Sequence, residues 1–333
     1  MVGPPELEAK LRAAWPPEAW RDVTVVLAVS GGADSTALLR AAAGLKAGGC
    51  GRLVVGHFNH GIRPSGEEDE RFVAAVCESL EISFEIRRGD VAAGAAQEGD
   101  GIESAARRAR YEFLAAVAEQ HGARLVATAH TADDQAETIL HHIVRGTGLT
   151  GLSGMPRSRP LSPAVSLVRP LLSIRRAEVV EYLAQIGQTH REDESNRDVT
   201  FMRNRIRHEL LPLLGGDYNP EIVNALLRLG QLAGDAQESI GGLVAARFAD
   251  TVSLSKDSAV VECGPLGDAS AYLVSELLIE VWRAMRWSLQ SMGFDQWRSL
   301  SNCIRSPADA QFSLPGSIRA KKKDGQLVLT RPQ

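Results

Sequence analysis

AVSGGADSTALL, residues 28–39, closes an apolar run and opens onto a helical pattern. Two adjacent glycines between serines at a strand-to-helix junction make a cradle for an anion. The first N–H groups of a helix lack intrahelical partners, and the helix dipole adds partial positive charge there. Glycine lets that backbone approach a phosphate without a Cβ in the way, while Ser30 and Ser35 add hydroxyl donors. The Walker A pattern GxxxxGK[ST] is absent, and with it the lysine that reaches β- and γ-phosphates. Asp34 stands there instead, a hard carboxylate suited to magnesium beside phosphates. An ordinary serine-capped turn would use several of the same residues. The full string after a β-run favours the phosphate cradle.

Outward from this loop, VTVVLAV (23–29), RLVVGHF (52–58), SFEIRR (83–88) and RLVATAH (124–130) read as short strands with almost continuous apolar character. Such runs suit a parallel sheet buried on both faces. Helical spacing over 67–80 and 102–120 separates them, VSLVRPLL (165–172) offers a fifth strand, and 175–187 offers a further helix ending in glycine. The alternation predicts an α/β doubly wound parallel sheet. Beyond GGDYNP (215–220) the pattern changes to a long helix over 221–248, a short strand at 259–263, a helix over 271–287 and a hairpin over 311–331. The expected organisation is a catalytic domain over 1–215 and a smaller, mixed α+β domain over 216–333.

With 333 residues, 44% hydrophobic and 23% charged, the chain has the make-up of a soluble globular protein. No apolar run approaches the ~18–20 residues that span a bilayer. The first twenty residues carry acids and prolines in place of an apolar signal core, so a cytoplasmic protein without membrane association is expected. Cys50, Cys77, Cys263 and Cys303 are scattered, which excludes a CxxC-type zinc or redox site. A net charge of −4 means that nucleic-acid binding would have to rest on local basic patches.

Three further stretches carry charge in patterns. Arg107 and Arg110 lie three apart in a helical segment, where they form either a solvated stripe or guanidiniums reaching a phosphate. In ATAHTADDQAETILHH (127–142), a helix beginning at His130 would put His130, Asp134, Glu137 and His141 on one face, with Asp133 as a cap. Such a face suits magnesium and a cationic substrate. Arg203, Asn204, Arg205 and Arg207 spread around a third helical segment and could touch RNA phosphate and sugar, while Ile206, Leu210, Leu211 and Leu214 pack inward. Between residues 298 and 331 seven basic residues, among them Lys321, Lys322 and Lys323, face two acidic ones. That patch suits an RNA backbone or plain solvent.

The string SGGxDS resembles the signature of the N-type ATP pyrophosphatases, the PP-loop family. NHGIRPSGEEDE (59–70), AHTADDQAET (129–138) with RGTGLTGLSGM (145–155), and the SN…RNRIR…PLL pattern within 192–214 resemble one branch of it, the tRNA(Ile)-lysidine synthetases. The resemblance runs from residue 25 to about 214. It implies an adenine-nucleotide-hydrolase-like fold and ATP bound by Ser30, Gly31, Gly32, Ala33, Asp34, Ser35, His57, Arg110 and His130. It further implies Mg2+ on Asp34 and Asp134, and catalysis by Asp34, Arg110, Asp134 and Glu137. For RNA contact it points to Arg203, Asn204, Arg205 and Arg207, and the basic C-terminal patch adds Lys321, Lys322 and Lys323 on charge alone. The implied substrates are ATP, L-lysine and isoleucine tRNA with a CAU anticodon, lysine being joined to carbon 2 of the wobble cytidine through an adenylated intermediate. The resemblance also allows a homodimer. Two other readings share the loop: an AMP-transferring amide synthetase for a small molecule, and a catalytically silent ATP- or tRNA-binding module.

Overall fold

The computed structural model describes residues 5–46, 48–61, 66–89, 102–191 and 202–331. The chain divides into two compact units, Met1–Gln231 and Leu232–Gln333.

The first unit is built on β1 (Val25–Ala28), β2 (Leu53–Asn59), β3 (Ser83–Arg88), β4 (Leu125–Ala127), β5 (Ser158–Ser162) and β6 (Val165–Val168), in the order β3-β2-β1-β4-β6-β5. All neighbours pair in parallel except β5, which lies antiparallel on β6 at the edge. β1 sits between β2 and β4, with Val26 opposite both Val54 and Val126. Because successive side chains on a strand point to opposite faces, Val25 and Leu27 enter one core and Val26 the other. The continuous apolar run therefore reflects burial on both sides. The first core holds α1 (Glu6–Ala14), α2 (Ala33–Leu45), α3 (Gly66–Ser79) and α7 (Arg176–Gln185); the second holds α4 (Ile102–Gln120).

β5 has no apolar alternation and carries Pro160, which an edge strand tolerates because its outer N–H is not needed by the ladder. The sequence pattern does not reveal it. α5 (Ala132–Arg145) and the single turn α6 (Leu149–Leu152) follow β4. The helical segment over 202–218 is not one regular α-helix: π-turns occupy Ile206–Leu210 and Leu214–Tyr218. Pro212, which has no N–H to donate, lies between them. The expected start of this segment at 192–201, like residues 62–65 of the second motif, lies outside the described residues.

Strand order reverses between β1 and β4. In open α/β sheets a ligand crevice forms beyond the carboxyl ends of the two strands at such a reversal. The loops that leave β1 and β4 carry SGGADS and HTADD.

A long helix, α8 (Ile222–Thr251), leads into the second unit. There β7 (Val252–Leu254), β8 (Ser258–Glu262), β9 (Ala310–Leu314), β10 (Ile318–Lys323) and β11 (Gln326–Thr330) form an antiparallel sheet in the order β7-β8-β11-β10-β9. α9 (Ala271–Ala284) and α10 (Phe294–Arg305) pack together, and their buried Leu277, Leu278, Trp282 and Leu300 share a core with Val261, Ala320, Leu327 and Leu329 of the sheet. The expected hairpin over 311–331 is a three-stranded meander, because both Pro315–Ser317 and Asp324-Gly325 reverse the chain. Asp324 and Gly325 both have positive φ, the requirement of a tight two-residue hairpin turn.

Strand alternation corrects the reading of the lysine triplet. Lys321 and Lys323 face outward, but Lys322 is only 4% exposed. Its ammonium donates to the carbonyls of Cys303 at 3.0 Å, Ile304 at 3.2 Å and Ser306. Lys322 therefore closes the C-terminal end of α10, where free carbonyls and the helix dipole favour a cation, and is withdrawn from any outward basic patch.

Candidate active site

The glycine turn is held from the protein side. Gly31 has φ +92°, and a Cβ there would meet Phe72, Val73 and Arg191 no closer than 3.5 Å. Glycine is thus required by the dihedral and not by crowding. The Gly31 carbonyl accepts from Thr36 Oγ1 at 3.2 Å and from the Arg191 N–H at 2.9 Å. Ser35 Oγ accepts from the Ser30 N–H at 3.1 Å and donates to the Gly32 carbonyl, also at 3.1 Å. Gly32 is the N-cap of α2 and brings no side chain to the helix start. With loop carbonyls bound inward and no side-chain cap, the amides that open α2 are available to an anion.

His57 lies under this turn. It is 3% exposed, and Nδ1 donates to the Val29 carbonyl at 2.8 Å. Burial pushes its pKa below the ordinary histidine value, so the ring is neutral and ties β2 to the root of the loop.

Asp34, second residue of α2, is half-buried, with Oδ2 3.3 Å from Arg176 Nη1. Its Oδ1 is buried and without a hydrogen-bond partner. Burial pushes the carboxyl up to about 6; Arg176 opposes the shift, and the Asp134 carboxylate adds to it.

α5 begins at Ala132, not at His130. Thr131 is its N-cap in a capping box with Asp134, whose Oδ2 accepts from the Thr131 N–H at 2.9 Å. The expected four-residue helical face therefore loses His130, which precedes the cap and sets Nδ1 3.0 Å from Thr128 Oγ1. Burial pushes His130 down to about 3; Asp134 opposes this, while Arg110, Arg169 and Arg203 reinforce it. Asp133, expected as a cap, instead pairs with Arg175 at 3.1 Å and accepts the Arg176 N–H at 2.7 Å, fastening α5 to the start of α7. His141 lies farther along α5, its ring 6.1 Å from that of His142.

Asp134 and Glu137 are 9% and 2% exposed, and two arginines expected at RNA are drawn onto them. Arg207 Nε and Nη2 donate to Glu137 at 2.5 and 2.8 Å, and Nη2 reaches Asp134 Oδ1 at 2.9 Å. Arg203 Nη2 lies 3.1 Å from Asp134 Oδ1, and its Nε 3.3 Å from Glu137 Oε2. A spacing of four puts both arginines on one helical face. Arg205 points away to Glu209 at 3.6 Å, and Asn204 shares its turn. Burial would raise the Asp134 carboxyl, but Arg203, the Thr131 amide, His130 and Arg207 together hold it below its ordinary value. Arg110 sits on α4 with its guanidinium 5.3 Å from the Tyr111 ring centroid and a buried Nε without a partner.

Residues 5–214 match the family model of the PP-loop domain. A protein of Rhodopirellula baltica named tRNA(Ile)-lysidine synthase is 34% identical over 90% of this chain and 84% of its own length. The chain belongs to the tRNA(Ile)-lysidine synthase family. The lysidine synthases of Geobacter sulfurreducens and Thermus thermophilus are 46% and 35% identical, over 66% and 93% of this chain. The chain spans about half the length of those two relatives, 46% and 57%. Among solved structures, the U34-tRNA thiolase of Methanococcus maripaludis with its [4Fe-4S] cluster shares the fold, with a TM-score of 0.58 at 17% identity over 69% of this chain and 79% of that one.

Within this lysidine synthase-family chain, four functional candidates escaped the sequence reading: Arg176 on Asp34, Arg169, Arg159 and Tyr111. One signal was visible. Arg169 is a lone cation inside the apolar run VSLVRPLL, and a charge in such a run is rarely buried without a purpose.

Proposed function

We propose that the chain ligates L-lysine to carbon 2 of the wobble cytidine of isoleucine tRNA with a CAU anticodon. The observation that carries this reading is the convergence, at one strand reversal, of a lysine-free glycine turn, the half-buried carboxylate of Asp34 and the buried carboxylates of Asp134 and Glu137. In the first step the cytidine C2 oxygen attacks the α-phosphorus, the α–β bridge breaks and pyrophosphate leaves. In the second, the lysine ε-nitrogen attacks C2, the C2–O bond breaks and AMP leaves.

The amides opening α2 receive the departing diphosphate, and Arg110 neutralises charge developing on the transferred phosphoryl group. The ε-ammonium, with an ordinary pKa of ~10.4, must lose a proton before it attacks. Glu137 and Asp134 provide the anionic pocket for it, and one of them accepts that proton. The lysine cation competes there with Arg203 and Arg207, so entry of the substrate is an exchange of one cation for another.

Mg2+ fits Asp34, whose buried Oδ1 has no partner. Asp134 has both oxygens engaged and would join as a ligand when a guanidinium withdraws. Among the described residues no group of three His, Cys, Asp or Glu could hold a metal, which accords with an ion that also takes phosphate oxygens and water. Its contribution is to neutralise the leaving pyrophosphate.

Arg319, Lys321 and Lys323 on the outer face of β10 are the proposed RNA-backbone contacts of the second unit. No described helix is long and apolar enough to cross a membrane, and a cytoplasmic enzyme would meet ATP, lysine and tRNA together. A homodimer is the proposed assembly, read out by light scattering of the purified chain. Incubation with α-labelled ATP, lysine and RNA bearing a CAU anticodon tests the reaction. Lysine incorporation that needs both ATP and the CAU triplet is expected; AMP release without RNA would replace this reading with a small-molecule amide synthetase, and ATP binding without turnover with a silent module.

A further inference from the structure

Beside His130, at the carboxyl ends of β4 and β6, a group of cations surrounds one aromatic ring. Tyr111, 8% exposed, has the guanidinium carbons of Arg107, Arg110 and Arg159 at 5.1, 5.3 and 5.0 Å from its ring centroid. Arg169, the residue after β6, is 3% exposed. Its Nη1 donates to the Pro156 carbonyl at 2.5 Å. Arg159 lies on β5 in register with Leu167 of β6, which brings the edge strand into the same cluster.

Burial of a charge costs heavily unless an opposite charge meets it. Among the described residues no carboxylate comes within ion-pair distance of these four arginines, and two buried guanidinium nitrogens, Arg110 Nε and Arg169 Nε, have no hydrogen-bond partner; the Tyr111 hydroxyl beside Arg110 and Arg169 is the one side-chain acceptor they meet. A single ring face cannot neutralise three guanidiniums, since each exposed cation–π contact is worth only ~0.5–1 kcal/mol. Burial alone would raise the Tyr111 phenol, yet the surrounding guanidiniums outweigh it and lower its pKa. Burial likewise lowers Arg169. The cluster has more positive charge and more free donors than the protein satisfies.

We infer that Tyr111, Arg159 and Arg169 form a phosphate-oxyanion subsite, distinct from the glycine turn and completed by ligand in place of a protein carboxylate. A phosphate offers several acceptor oxygens to diverging donors, and guanidinium forks match that geometry. The oxyanion can come from an RNA phosphodiester flanking the reacting base or from the α-phosphate of the nucleotide. The inference rests on the reading of the chain as an RNA-modifying enzyme that consumes ATP.

Arg159→Met and Tyr111→Phe are the variants of choice, because Arg159 is half-buried and Tyr111→Phe keeps the ring. Arg169→Lys keeps the buried charge but removes the fork. Each is compared with wild type for binding of Mg-ATP without RNA, and of CAU anticodon stem-loop RNA without ATP across a salt series, with cooperative unfolding as the control. If the phosphate is RNA backbone, Arg159→Met weakens RNA binding on the order of tenfold and flattens the log–log salt slope by about 0.7, while ATP binding stands. If it is the nucleotide, ATP binding weakens instead. Unchanged binding of both ligands in folded Arg159→Met and Tyr111→Phe overturns the subsite. A rise confined to the lysine KM also overturns it, by assigning the arginines to the amino-acid carboxylate. A wild type that binds neither ATP nor RNA removes the proposed function together with the subsite. Lysine ligation by wild type, with both variants binding as it does, removes the subsite alone.

Discussion

Asp34 carries the proposed chemistry in a setting that works against stability. Its carboxyl is desolvated, only one of its oxygens is met by a cation, and its pKa is pushed up to about 6. Asp34→Ala should therefore abolish lysine-dependent AMP release while the thermal midpoint stays level or rises; a large fall in the midpoint would make Asp34 a structural residue. Gly31 sets the opposite constraint. With φ +92°, Gly31→Ala should cost about 1 kcal/mol by the left-handed strain of an L-residue and weaken ATP binding, as read by denaturant titration and nucleotide binding. Both residues were legible in SGGADS, since loop chemistry is local. Arg176, the partner of Asp34, was not: nothing in the spacing of IRRAEVV says which helix face meets a loop more than a hundred residues earlier.

At the scale of elements, α5 and the 202–218 segment form one electrostatic unit. Glu137→Ala would leave Arg203 and Arg207 with Asp134 as their remaining carboxylate, and about 2 kcal/mol of destabilisation is expected from the lost charge-assisted hydrogen bonds. Glu137→Gln retains acceptor capacity and should unfold closer to wild type, yet lose lysine ligation. α3 is fastened in another way. Glu70 accepts from Asn59 Nδ2 at 2.7 Å and from Arg88 Nε and Nη2 at 2.8 and 2.6 Å. Arg88 holds its carboxyl below the ordinary glutamate value. A depressed acid stabilises the fold above its unfolded pKa and loses that contribution as pH falls through the folded pKa. Wild type should therefore exceed Glu70→Gln in stability at pH 7, and the gap should close below about pH 4; a gap independent of pH would remove the ion pair as its cause. Periodicity revealed α3, α4 and α5. It did not reveal that α5 starts after His130, because the capping box with Thr131 decides the first turn.

For the whole molecule, a net charge of −4 coexists with a basic terminal segment. Lys321→Glu with Lys323→Glu should weaken RNA binding and flatten its salt dependence without touching ATP affinity. Lys322→Met should instead cost about 2 kcal/mol by stranding the carbonyls at the end of α10, with RNA affinity in the folded fraction unchanged. If Lys322→Met alters RNA binding as much as the outer pair does, the division of the triplet by strand alternation is wrong.

Sequence alone determined the doubly wound sheet, the glycine turn between strand and helix and the family, because burial on two faces, glycine dihedrals and helix-start chemistry are written in contiguous residues. Tertiary structure alone decided which charges meet. Arg203 and Arg207 turned from RNA candidates into partners of Asp134 and Glu137, Lys322 became a helix cap, and Tyr111, Arg159 and Arg169 came together from three separate segments. Electrostatic partners are chosen by distance in space, and one-dimensional spacing records that distance only within a helix turn or across a strand pair.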